Sequence, residues 1–139
     1  MATLRDLMQE FVNKDYSELV SMAKAAARDV LPACAEIDED GNGRDLLLFV
    51  MITAIGADGD LSEKEYAFLK DMGYTYEEVK GALGAYSSNM VNMVKSFFEF
   101  HEGSEVAESL YIIILCVASC DGTIKVDEIR YLEEMFEAF

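Results

Sequence analysis

The chain has 139 residues, 52% of them hydrophobic, and 27 acidic against 11 basic residues give it a net charge of −16. That length and apolar content fit one domain, 1–139, with a core of its own, and exclude a disordered acidic tail. The charge argues against nucleic acid and anionic membrane surfaces as partners, because both ask for clustered Lys and Arg, and it favours cations or a partner with a basic surface.

One proline, nine glycines and an excess of good helix formers point to an all-α fold. In chain order, Leu4–Val12 reads as a short helix with Leu4, Leu7, Met8 and Phe11 on one side. Tyr16–Leu31 reads as a second, capped by Asp15 or Ser17, and Pro32 is expected to end it or to open a new first turn. Residues 37–43 form an acidic loop. Arg44–Ala57 is apolar nearly all round, as a helix at the centre of a bundle should be. Asp58-Gly59 closes it, with Gly59 suited to a left-handed C-terminal position.

Ser62-Glu63-Lys64-Glu65 is a capping box, with Ser62 as N-cap, and starts a helix running to about Met72. Thr75-Tyr76-Glu77-Glu78 is another, opening a short helix to about Ala85. Asn89–Phe100 follows, with Met90, Met93, Val94, Phe97 and Phe98 inward. Val106–Cys120 is a second central apolar helix, closed by Asp121-Gly122, and Val126–Phe136 is the last. The expectation is a compact bundle of seven to eight short helices.

A repeat organises this string. Ala57-Asp58-Gly59-Asp60-Leu61-Ser62-Glu63-Lys64-Glu65 returns 63 residues later as Cys120-Asp121-Gly122-Thr123-Ile124-Lys125-Val126-Asp127-Glu128. Each copy joins an apolar helix to an amphipathic one, which predicts two matching hairpins, 44–72 and 107–136, related by a pseudo-twofold axis. Packed in that way, they bring Asp58, Asp60 and Glu65 of one turn towards Asp121 and Glu128 of the other. Hard cations such as Ca²⁺ or Mg²⁺ require clustered oxygen ligands of this kind. Helix capping is the competing explanation: Glu65 has Ser62 to pair with, whereas Glu128 faces Lys125 at the equivalent place.

None of these turns is an EF-hand. With Gly59 or Gly122 at loop position 6, positions 1 and 3 fall on Ala54 and Gly56, or on Val117 and Ser119. The stretch from Asp38 starts well but puts Phe49 where the bidentate Glu belongs.

Enzyme readings are thin. Cys34, Cys116 and Cys120 form no disulfide framework and fit a reducing, cytoplasmic setting. Cys116 and Cys120 share a helix face and read as core thiols. His101 is the single histidine, so no zinc spacing exists. Phosphate loops, dinucleotide fingerprints and nucleophile elbows are absent from the sequence. No signal-peptide pattern is expected, and the longest apolar run, Leu110–Ala118, is too short to cross a bilayer.

The doubled Ala-Asp-Gly-x-Leu/Ile-x-x-x-Glu pattern resembles the TerB-like family, known from tellurite-resistance proteins. The resemblance covers about residues 44–136, with Cys120 where the family usually carries Ala. It implies an all-helical fold with internal pseudo-symmetry, an acidic cluster proposed to bind metal, and a role in stress response. Asp58, Glu65, Asp121 and Glu128 match the family's motif positions. The function so implied is a non-enzymatic protein that binds divalent cations, with an acidic protein-interaction module as the alternative.

Overall fold

The computed structural model describes residues 3–37, 43–56, 61–122, 124 and 126–138. Among the described residues the chain forms eight helices and no strand: α1 (Leu4–Val12), α2 (Tyr16–Ile37), α3 (Arg44–Ile55), α4 (Glu63–Asp71), α5 (Tyr76–Gly84), α6 (Ser88–Phe100), α7 (Glu105–Ser119) and α8 (Val126–Ala138). The all-α expectation holds. Asp58, Gly59 and Asp60, and residues 38–42 of the expected acidic loop, lie outside the described residues.

Local chemistry explains most of the helix starts. Thr3, Ser62 and Thr75 each close a reciprocal capping box with Asp6, Glu65 and Glu78. Ser87 and Ser104 cap α6 and α7 by accepting from the amides of Met90 and Ala107. Gly43 precedes α3 with φ +86°, a left-handed conformation. It also lies so close to α2 that a Cβ there would stand 2.7 Å from the Cys34 Cβ and 2.9 Å from the Leu31 carbonyl oxygen.

The two apolar helices occupy the centre. α7 packs along α2 and also meets α1, α3, α4 and α8, while α3 meets α2, α5, α6, α7 and α8. Nearly every side of both is buried, including Leu47, Val50, Met51 and Ile52 on α3 and Leu110, Ile113, Ile114 and Leu115 on α7. Each such aliphatic side chain contributes roughly 1.5–3 kcal/mol by leaving water. Met51, Met90 and Met135 are buried among them, so these methionines serve the core.

Two sequence expectations need correction. Pro32 does not end the second helix, because α2 runs through it to Ile37. Pro32 is exposed, whereas Ala33 and Cys34 just beyond it are buried against the core. The missing N–H therefore falls on the solvent side, and burial of the next turn outweighs the local penalty. Met93 does not point inward either. It is 42% exposed, because neighbouring helices cover only the Met90, Val94, Phe97 and Phe98 stripe of α6. No helix among the described residues is long and apolar enough to cross a membrane.

Candidate functional site

The start of α4 lies at the end of α7. α4 packs against α5 and α7, and α8 packs against α3, α6 and α7. The first turn of α4 is thereby carried to the C-terminal end of α7. α4 and α8 begin at residues 63 and 126, the spacing of the sequence repeat, so Glu65 and Glu128 hold the same third position in their helices.

α7 ends on Cys120, whose amide donates to the Val117 carbonyl at 3.5 Å. The Gly122 amide then donates to the Ser119 carbonyl at 3.0 Å, with Gly122 at φ +86°. This left-handed step turns the chain towards α8 and leaves Asp121 half-buried at the corner. Helix dipoles set up opposite preferences here: a carboxylate at the C-terminus of α7 is disfavoured, and one in the first turn of α4 or α8 is favoured.

Glu65 is 1% exposed and Glu128 4%. Burying carboxylates to this degree is uncommon, since ionised groups are costly to desolvate. For Glu65, part of the explanation is local. Its Oε1 accepts from the Ser62 amide at 2.7 Å, and its own amide donates to Ser62 Oγ at 3.1 Å. The Ser62 hydroxyl donates in turn to Asp121 Oδ2 at 3.3 Å, linking the first repeat to the second. Capping of Glu65 by Ser62 is thus realised, and Asp121 is joined to the same cap.

Cys120, the C-cap of α7, is 3% exposed. Burial pushes its thiol well above the ordinary range, and the carboxylates of Glu65, Asp121 and Glu128 push it further. The thiol therefore senses three acidic groups, drawn from α4, the α7–α8 turn and α8. Of the five carboxylates singled out from sequence, Asp121 is joined to the Glu65 cap through Ser62, Glu128 is buried at the matching position of α8, and Asp58 and Asp60 lie outside the described residues. Cys120 itself carried no sequence signal of this proximity beyond its place in the repeat.

The donor set favours hard cations. A protonated, buried thiol is no ligand, which leaves carboxylate oxygens, the donors that Ca²⁺ and Mg²⁺ take. Among the described residues no three His, Cys, Asp or Glu side chains stand close enough to hold one ion together. A full oxygen shell at this corner would need ligands from residues 57–60 as well.

The nucleophile candidates form no reactive pair. Cys34, Cys116 and Cys120 form no disulfide and are buried. Burial pushes the Cys116 thiol up to about 12, opposed by the Lys14 charge. His101 is the C-cap of α6, half-buried and edge-on to Phe97 and Phe100 at ring separations of 4.8 and 5.0 Å. It packs as an aromatic against both rings.

No protein-family model, no curated protein and no solved structure matches this chain.

Proposed function

We propose that this chain is a non-enzymatic divalent-cation-binding protein of the TerB-like kind, with a role in stress response in the cytoplasm. Glu65, Asp121 and Glu128, joined by Asp58 and Asp60, supply carboxylate oxygens to Ca²⁺ or Mg²⁺. The observation that carries this reading is the near-complete burial of Glu65 and Glu128 at the same position of two helices, with Asp121 joined through Ser62 to the Glu65 cap. Ionised carboxylates at such low exposure are costly to desolvate, and a bound cation offsets that cost. The three buried thiols suit a reducing compartment.

Isothermal calorimetry on chelator-stripped protein tests the proposal. Ca²⁺ is expected to bind saturably in the micromolar range or tighter, with Mg²⁺ as the comparison. Asp58→Asn combined with Asp121→Asn abolishes the signal. Affinity unchanged in that double variant, or no heat and no shift in melting temperature for the parent protein, overturns it.

One observation favours the alternative of an acidic protein-interaction module. Phe100 is 80% exposed and, with Met93, Phe97 and Leu46, lines an open apolar groove in a chain of net charge −16. Exposed aromatic surface in acidic surroundings suits a partner with a basic, partly apolar face. In that case partner capture is salt-sensitive and indifferent to chelator.

A further inference from the structure

Some basic residues of this acidic chain have a carboxylate partner and others, Lys80 and Arg130 among them, have none among the described residues. Lys14 is paired with Glu10 and Glu18, Arg44 with Glu78, and Lys95 with Glu134. Lys24 and Arg28 are set apart by their place together at one cleft. They stand one turn apart on α2, both exposed, and neither has an ion-pair partner among the described residues. Two like charges at this spacing on a helix repel each other.

The pair borders a cleft of about 310 Å³ whose floor is apolar and includes Leu31, Leu47, Met72 and Tyr74. Arg44 closes one end. Its guanidinium donates to the Gly73 carbonyl at 2.6 Å and lies 4.8 Å above the Tyr74 ring, so it forms a fixed wall. Tyr74 is held in turn by donating to the Arg44 carbonyl at 2.7 Å. An apolar floor with two adjacent cations at its edge is the complement of a molecule with an apolar body and one anionic end.

We propose that this cleft binds a small amphipathic carboxylate, a medium-chain acyl or aryl acid, with its carboxylate between Lys24 and Arg28 and its apolar body over Leu47, Met72 and Tyr74. The volume lies at the lower end for small-ligand pockets, which suits a short chain or a single ring. Lys24 and Arg28 lie inside a helix, so the backbone amides there are spent on the helix and only the two side chains donate. Two monovalent donors match a carboxylate, which Arg can engage with two parallel N–H groups. This site is separate from the carboxylate corner and does not depend on the cation-binding reading.

Calorimetric titration of the full chain with octanoate, octanol, octylammonium and octyl phosphate tests the assignment. Octanoate is expected to bind at one saturable site, and the uncharged and cationic analogues at least roughly tenfold more weakly. Lys24→Ala with Arg28→Ala should weaken octanoate by roughly tenfold or more, because a charge-assisted contact is removed at each position. Lys80→Ala with Arg130→Ala makes the same change in net charge at exposed sites elsewhere and should leave the affinity within about twofold. All four side chains are exposed, so both variants keep the core intact. Absence of saturable octanoate binding, equal binding of octanol, or equal losses in the two double variants would each overturn the proposal. Tighter binding of octyl phosphate than octanoate would overturn the assignment to a carboxylate.

Discussion

Ser62→Ala isolates the link between the two repeats. The Ser62 hydroxyl has two roles: it accepts from the Glu65 amide at 3.1 Å and donates to Asp121 Oδ2 at 3.3 Å. Losing an N-cap of this type costs about 1 kcal/mol. Losing a half-buried hydrogen bond to a carboxylate, here a long one, adds about 0.5–1 kcal/mol. Together these give a destabilisation of about 1.5–2 kcal/mol, or a fall in Tm of roughly 5 °C for a chain of this size. Thr3→Ala is the matched control. Thr3 closes the same kind of capping box on α1, at 3.2 Å and fully in solvent, with no second acceptor. Its expected cost is about 1 kcal/mol or less. Urea unfolding in excess chelator, followed by circular dichroism, measures both. A double-mutant cycle of Ser62→Ala with Asp121→Ala should return a coupling of about 0.5 kcal/mol or more. Equal costs at Ser62 and Thr3, together with no coupling to Asp121, would refute the cross-repeat bond and reduce Ser62 to an ordinary cap.

Three further outcomes follow from the geometry. Gly43→Ala should destabilise the fold by more than about 2 kcal/mol, since a left-handed φ and a backbone clash with α2 act together, whereas Gly122→Ala, also at φ +86° but open around the Cβ, should cost only about 1 kcal/mol by chemical denaturation. Pro32→Ala should raise stability by about 1–2 kcal/mol, because it restores a backbone donor inside α2 and gives part of that back by freeing the unfolded chain; a neutral or negative change in Tm would show that the helix has adapted to the ring. Burial raises the Cys116 and Cys120 thiols in the folded state above their ordinary value of 9.0. The sign follows: their contribution to stability is complete below that value and is lost as pH rises above it, since only the unfolded chain releases those protons readily. Native protein at pH 8 should therefore react with iodoacetamide only as fast as it unfolds, and rapid labelling of either thiol would contradict the burial assigned to them.

The helices were legible in the sequence because their signals are local. Ser62-x-x-Glu65 and Thr75-x-x-Glu78 mark helix starts through hydrogen bonds that span three residues, and both boxes form as expected. The near-continuous apolar runs of α3 and α7 required central positions on hydropathy alone. The errors came where a local preference competed with burial. Pro32 signals a break, but the turn after it carries Cys34 into the core. Met93 has the spacing of an inward residue, but periodicity cannot report how wide a stripe the neighbouring helices will cover.

By itself, then, the sequence determined an all-α chain, its helix starts, its two central helices and the positions of its repeated carboxylates, since these depend on short-range capping and on periodicity. Which groups meet was decided only in the folded chain. The packing of α4 on α7 joined the Ser62–Glu65 cap to Asp121, although Ser62 and Asp121 are far apart in sequence. The joining of α2, α3 and the end of α4 placed Lys24 and Arg28 over the floor of Leu47, Met72 and Tyr74. No local rule encodes either meeting, because each depends on which apolar faces bury against one another once all the helices compete for the same core.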